Sequence, residues 1–160
     1  MKELKIRATI DTDGVGKRRH YIYAGVMRKV KDAIEKGFYL EAITLLESII
    51  SDRLESFCNE QSNSSNYSFS CMGKLISESK NHNISHTWID TLDELEKWKN
   101  NRNNVLHQMA KIENGDLSTF DERYQPCKGY AEEGVSIFHK IDNEIRLYRK
   151  KNKLKNTKSS

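Results

Sequence analysis

The sequence predicts an all-α fold, an antiparallel bundle of four to five helices, and three observations predict it. Apolar residues recur at steps of three and four along most of the 160-residue chain. A single proline interrupts them. Strand-like alternation is confined to residues 3–10. The composition, 36% hydrophobic and 31% charged, suits a globule with a buried core and does not suit a disordered chain.

At the N-terminus, Leu4, Ile6, Ala8 and Ile10 alternate with Lys5, Arg7 and Thr9, which predicts a short extended arm within residues 1–17. Residues 11–16 have the composition of a turn. Gly14-Val15-Gly16-Lys17 lacks both the spacing and the following Ser or Thr of a phosphate-binding loop. A first helix is expected over 18–36, with Ile22, Val26, Val30, Ala33 and Ile34 inward and Gly37 as its stop. The second helix, 38–60, has the clearest apolar face: Leu40, Ile43, Leu46, Ile49, Ile50, Leu54 and Phe57. A Ser/Asn loop at 61–68 leads to a short helix over 69–79 with Met72, Leu75 and Ile76. A long helix over 90–112 carries Leu95, Trp98, Val105, Met109 and Ile112 on one stripe, and 113–116 turn the chain. The final helix, 118–151, presents Val135, Phe138, Ile141, Ile145 and Tyr148 and should be kinked or divided at Pro126. The bundle thus spans 18–150, and 151–160 read as a basic, disordered tail.

Several function classes are disfavoured by composition. No apolar run approaches the ~20 residues that span a bilayer, and the N-terminus lacks the apolar core of a signal peptide, so a cytoplasmic protein is expected. The three cysteines, Cys58, Cys71 and Cys127, form no CxxC or CxxxH pair and suggest neither a disulfide framework nor a zinc site. His82 and His86 have helical i, i+4 spacing but no third ligand nearby, so no metal and no cofactor is expected. A net charge of +4 is compatible with a nucleic-acid partner.

The long helix breaks its own pattern at Arg102-Asn103-Asn104-Val105-Leu106-His107. Arg102 lies seven residues from both Leu95 and Met109, hence on their stripe to within roughly 20°. A guanidinium on an apolar seam needs a counter-charge, a subunit interface or an anionic ligand. His107 follows about 140° around the helix and ~7.5 Å along it, so the two side chains do not converge on one ideal helix. Two copies packed about a two-fold axis, or a local helix distortion, would bring them into one cleft. Asn103 shares the face of His107, and Lys99, Asn100 and Asn104 lie beside it, the candidates for holding substrate.

This pattern resembles the signature of HEPN-domain ribonucleases, an Arg followed after four to six residues by His, often with Asn, Asp or His directly after the Arg. Arg102, Asn103 and His107 match its shortest spacing, and the resemblance extends over the helical layout from about 18 to 150. It implies a helical bundle that dimerises to build a composite, metal-independent RNA-cleaving site, as in toxins of toxin–antitoxin systems and effectors of anti-phage defence. The implied partners are RNA (tRNA among the candidates), a second copy of the chain, and an inhibitory antitoxin or regulatory protein. Related toxins often carry, two residues after the His, a Tyr that the antitoxin modifies; here that position is Met109, which argues against that route of control.

The chemistry agrees with these residue types. Cleaving RNA through its own 2′-hydroxyl needs a group that exchanges protons near neutral pH, for which His is suited, and a fixed cation for charge growing on phosphate, for which the Arg fork is suited. His107 is assigned as general acid/base, Arg102 as transition-state stabiliser and Asn103 as the residue that orients His107 or holds a phosphate oxygen. Two alternatives stand beside this. One is a non-catalytic module that binds nucleotide or RNA or docks onto a partner. The other is a helical interaction protein in which Arg102 is a seam residue that snorkels or pairs with a glutamate of another helix. Trp88 and Trp98 are candidates for stacking on bases, but Trp98 lies on the seam and reads as core or interface; His139 reads as a flank residue, Glu94, Glu96, Lys97 and Lys99 as a solvated face, and Lys17, Arg18 and Arg19 as a solvated helix start ahead of an RNA contact.

Overall fold

The computed structural model describes residues 15–158 other than 113. The strand-like arm at 3–10 and residues 11–14 of the turn lie outside the described residues, as do Ser159 and Ser160. The described residues form α1 (Val15–Glu35), α2 (Tyr39–Ser62), α3 (Met72–Lys80), α4 (Trp88–Gln108), α5 (Phe120–Tyr124) and α6 (Pro126–Lys158), with no strand among them. The all-helical bundle expected from the sequence is what the chain adopts.

Gly37 ends α1 as expected. At φ 81° it takes the left-handed conformation, its amide bonds the Ile34 carbonyl, and the Phe38 amide bonds the Ala33 carbonyl at 2.7 Å. That pair of bonds is a Schellman termination. The inward face of α1 is Met27, Val30 and Ala33 with Tyr23 beside them, whereas Ile22 points outward. Val26 and Ile34 pack against this core as expected, so of the expected face only Ile22 is misplaced. Tyr23 takes the inward place because its ring packs edge-on to Phe138 while its hydroxyl donates to Asp52 at 2.5 Å, a polar handle that Ile22 lacks.

At the other end of the chain, Pro126 divides the last helical stretch. Thr119 and Glu122 form a reciprocal capping box at the start of α5, and α6 begins on the proline itself, a position that needs no amide donor. The expected disordered tail is helical as far as Lys158, so residues 151–158 continue α6.

Side-chain pairs fix how the helices run. Arg19 and Lys29 of α1 meet Asp52 and Glu41 of α2, an antiparallel pair. Glu94 and Trp98 of α4 meet Lys140 and Tyr130 of α6, also antiparallel. Between α2 and α6, Arg53 meets Asp142 and Glu60 meets Arg149, so these two helices run in the same direction. They share the most extensive contact in the molecule. A parallel central pair, α2 and α6, is thus flanked by α1 and α4 running the opposite way. Leu46, Ile50, Leu54 and Phe57 of α2, Leu92, Leu95 and Trp98 of α4, and Ile141 and Ile145 of α6 fill the space between them.

Candidate active site

α4 is an uninterrupted α-helix through the whole motif. A local distortion that would turn Arg102 and His107 toward each other is therefore absent, and within one chain they stay about 140° apart. The seam that carries Arg102 is longer than expected at its start and shorter at its end. Trp88, Thr91 and Leu92 join Leu95 and Trp98 in it. Ile112 lies beyond the end of α4 and is 91% exposed, so it is not part of the stripe.

Arg102 is 8% exposed and reaches across to α2. Its Nη1 and Nη2 donate to Glu47 Oε2 and Oε1, the second at 2.7 Å, a two-pronged ion pair. The guanidinium also lies 5.8 Å from the Trp98 ring centre. Its Nε is buried without a hydrogen-bond acceptor. Trp98 anchors the arrangement: its Nε1 donates to the Tyr130 carbonyl at 2.7 Å, and its six-membered ring sits where a Cβ at Gly134 would be, 2.9 Å away. Glu47 was not singled out in the sequence. Its signal is its register, one position after Leu46, at the edge of the α2 face that turns toward α4.

His107 is exposed, Asn103 is half-buried, and Asn100 and Asn104 are exposed. Lys99, Asn103 and His107 form an i, i+4 row about 12 Å long. Lys99 leads this row away from the motif's end, with its Nζ 3.4 Å from the place a side chain at Gly73 would take. α3 starts at Met72, so it leaves the Asn103–His107 end of the row uncovered. The structure brings Arg102 together with Glu47 and Trp98, and it does not bring Arg102 together with His107, Asn100 or Asn104.

A second arginine stands at the end of the motif helix. Arg123 of α5 donates from Nη1 to the carbonyls of Gln108, at 2.8 Å, and Lys111, from Nε to Ser118 and from Nη2 to Asp116 at 2.8 Å. It satisfies a terminal carbonyl of α4 and ties Gln108 and Lys111 to Asp116 and Ser118. The hydroxyl and amide of Ser118, with Arg123 behind them, hold the Asp116 carboxyl below the usual carboxylate range. A cavity of about 350 Å³ opens here, between Val105, Gln108 and Lys111 on one side and Arg123, Pro126 and Tyr130 on the other. Leu106, Ile112, Leu117 and Phe120 are exposed on the same end of the molecule.

The remaining candidates are structural. Trp88 and Trp98 are fully buried, Trp88 donating to the Ser79 carbonyl at 3.0 Å, so neither presents a face for stacking on a base. His82 lies 3.5 Å from Glu78 and edge-on to Phe57. Among the described residues no group of three or more His, Cys, Asp or Glu is placed to hold a metal ion. No helix among them is long and apolar enough to cross a membrane. Comparison of the chain with protein-family profiles, curated proteins and solved structures finds no match in any of the three.

Proposed function

We propose that this chain is a metal-independent endoribonuclease of HEPN type, acting as a cytoplasmic homodimer in a toxin or anti-phage defence setting. The observation that carries the reading is Arg102. A guanidinium is held at a buried seam by one carboxylate, with an Nε donor left unmatched, on the same straight helix as an exposed histidine. An unmatched buried donor costs roughly 1–3 kcal/mol, a cost that an arriving phosphate oxygen removes. The straightness of α4 favours a second copy as the source of the complementary group. The exposed Leu106, next to His107 in sequence, and the exposed Ile112 and Leu117 supply apolar surface for that copy to cover.

In this mechanism, one His107 takes the proton of the ribose 2′-hydroxyl as its oxygen forms a bond to phosphorus. The bond from phosphorus to the 5′-oxygen breaks, and His107 of the second copy delivers a proton to that leaving oxygen. Arg102 stabilises the charge on the non-bridging oxygens, and Asn103 orients the imidazole. The products are a 2′,3′-cyclic phosphate and a 5′-hydroxyl.

The test is cleavage of total tRNA and of a mixed-sequence oligoribonucleotide in EDTA by wild type and His107→Ala, with the ends typed. Cleavage by wild type alone, leaving cyclic phosphate, is expected. Dependence on added magnesium would overturn the scheme. A second reading has its own observation: the Glu47 pair already satisfies two donors of Arg102 within one chain, as a purely packed arginine would need. A folded dimer that binds RNA and never cuts it would favour that non-catalytic module.

A further inference from the structure

A cavity of about 660 Å³ lies not at the motif but at the opposite pole, between the N-terminal half of α1 and the C-terminal half of α6. Along α6, Tyr130 at the motif end and Lys150 at the cavity are about 30 Å apart. Its walls carry six cations, Arg19, Arg53, Arg146, Arg149, Lys150 and Lys153. Three carboxylates pair with three of them: Asp52 with Arg19, Asp142 with Arg53, and Glu60 with Arg149. Arg146 shares the already engaged Asp142 at 3.8 Å and keeps 66% of its side chain exposed. Lys150 is exposed and meets no carboxylate among the described residues.

Two further features distinguish this cleft from an ordinary solvated helix face. First, Arg53 is on its floor with only 7% of its side chain exposed, held by Asp142 at 2.9 Å, and its Nε is buried without an acceptor. A buried cation with an unmatched donor, under a rim of further cations, is a site that lacks an anion. Second, the half-buried ring of Tyr23 and the exposed rings of His20 and His139 line it, over a floor of Met27 and Phe138 that is itself buried. Residues 146, 149, 150 and 153 step by three and four, so the cations of α6 form a row about 10 Å long. That is the length of about three phosphates along a stacked strand.

We propose that the α1/α6 cleft binds the sugar–phosphate backbone of single-stranded RNA, about three nucleotides of it, as a docking site for the substrate strand. The inference rests on the RNA-cleaving reading for its choice of polyanion. The cationic row with ring surfaces lining the cleft is the combination by which sequence-tolerant single-strand sites work. Docking at one pole anchors a strand whose more distant segment reaches His107, and so selects RNAs long enough to span about 30 Å.

The test uses the full chain carrying His107→Ala, so that the probe is not cut, and a fluorescent 12-nucleotide single-stranded RNA. Arg146→Gln/Lys150→Gln changes two exposed positions and leaves Arg53 and its partners intact. Affinity is expected to fall about tenfold or more, and the slope of log affinity against log salt to shrink by about 1.4, the value for two lost phosphate contacts on a single strand. Lys31→Gln/Lys97→Gln makes the same change in net charge on other faces and is expected to bind as the parent does. Equal losses in the two variants, or none in the first, would overturn the proposal. So would displacement of the RNA by equimolar ATP, which would make the cleft a site for free nucleotide. Should wild type fail to cleave in EDTA while the Arg146/Lys150 variant alone loses binding, the catalytic reading fails and the docking site stands. Cleavage with undiminished binding by that variant removes the docking site alone.

Discussion

Arg102 has two partners that a substitution can separate. Arg102→Ala removes the guanidinium from Glu47 and from the Trp98 face, and because Glu47 is 36% exposed and can hydrate, a loss of about 1–3 kcal/mol is expected rather than the larger cost of a fully buried orphan. Arg102→Leu is the more telling variant. Leucine matches the seam that Leu95 and Trp98 establish, so stability in urea is expected to equal or exceed that of wild type, while cleavage in EDTA falls by a factor of about 100 or more. A stable Arg102→Leu protein that still cuts RNA would reduce Arg102 to a seam residue. His107→Ala, at an exposed position, is expected to change stability by less than about 0.5 kcal/mol. The anomaly at Arg102 was legible in the sequence because its neighbours at i−7 and i+7 define a stripe it does not fit. Glu47 was not legible as its partner, since 55 residues separate them, and its register at the edge of the α2 face does not by itself say which helix that edge meets.

At the scale of helices, two glycines with opposite surroundings make a matched experiment. A Cβ at Gly134 of α6 would stand 2.9 Å from the Trp98 ring and 3.0 Å from Leu46 Cδ1, and the ring is tethered through its Nε1 to the Tyr130 carbonyl. Gly134→Ala is therefore expected to destabilise by about 1–2 kcal/mol, an overpacking cost reduced by the gain in helix propensity. Gly25 of α1 has nothing within 4 Å of its would-be Cβ, and Gly25→Ala is expected to stabilise by about 0.5–1 kcal/mol. Urea midpoints of the two variants check both signs. Helix existence was the readable part of this chain: the period of α2 picked out Ile43, Leu46, Ile49, Ile50, Leu54 and Phe57, missing of its apolar core only the small Ala42 and Cys58, and Gly37 and Pro126 marked their breaks. What periodicity could not resolve was phase where polar and apolar partners compete. Ile22 fits the α1 stripe as well as Tyr23 does, and only the presence of Asp52 and Phe138 on other helices decides between them.

The arrangement of the whole molecule depends on a loop that the sequence showed only as polar. If α3, α4 and the α5–α6 stretch each simply reversed the direction of the helix before, α2 and α6 would run antiparallel. Instead the 63–71 segment doubles back along α2, its Tyr67 amide bonding Asn59 Oδ1 at 3.1 Å and its Phe69 amide bonding Glu55 Oε2 at 3.0 Å. Both acceptors are buried side chains of α2, so the helix itself carries the hook that returns the chain and lets α3 run alongside it. Cys58 lies under this return, its thiol 3.3 Å from the Ser79 hydroxyl, and burial pushes that thiol from its ordinary 9.0 up to about 11. Burial, with the Asp52 carboxylate next, also raises the Tyr23 phenol between α1 and α2. Both groups are neutral when protonated and are held protonated by the fold. Above pH 9 the unfolded chain releases the Cys58 proton while the native chain keeps it, so stability falls as pH rises, by at most about 1.4 kcal/mol per pH unit for each such proton. The stability that Cys58 contributes is complete below pH 9 and is lost by about pH 11, with Tyr23 adding its own decline from about pH 10. Unfolding free energies in urea between pH 8 and 10 should therefore slope downward in wild type and less steeply in Cys58→Ala, the residual slope coming from Cys127, whose thiol is raised by the same cause. Parallel curves for the two proteins would mean that the joint between α2 and α3 admits water to the thiol, and that the doubled-back loop opens more readily than its buried anchors imply.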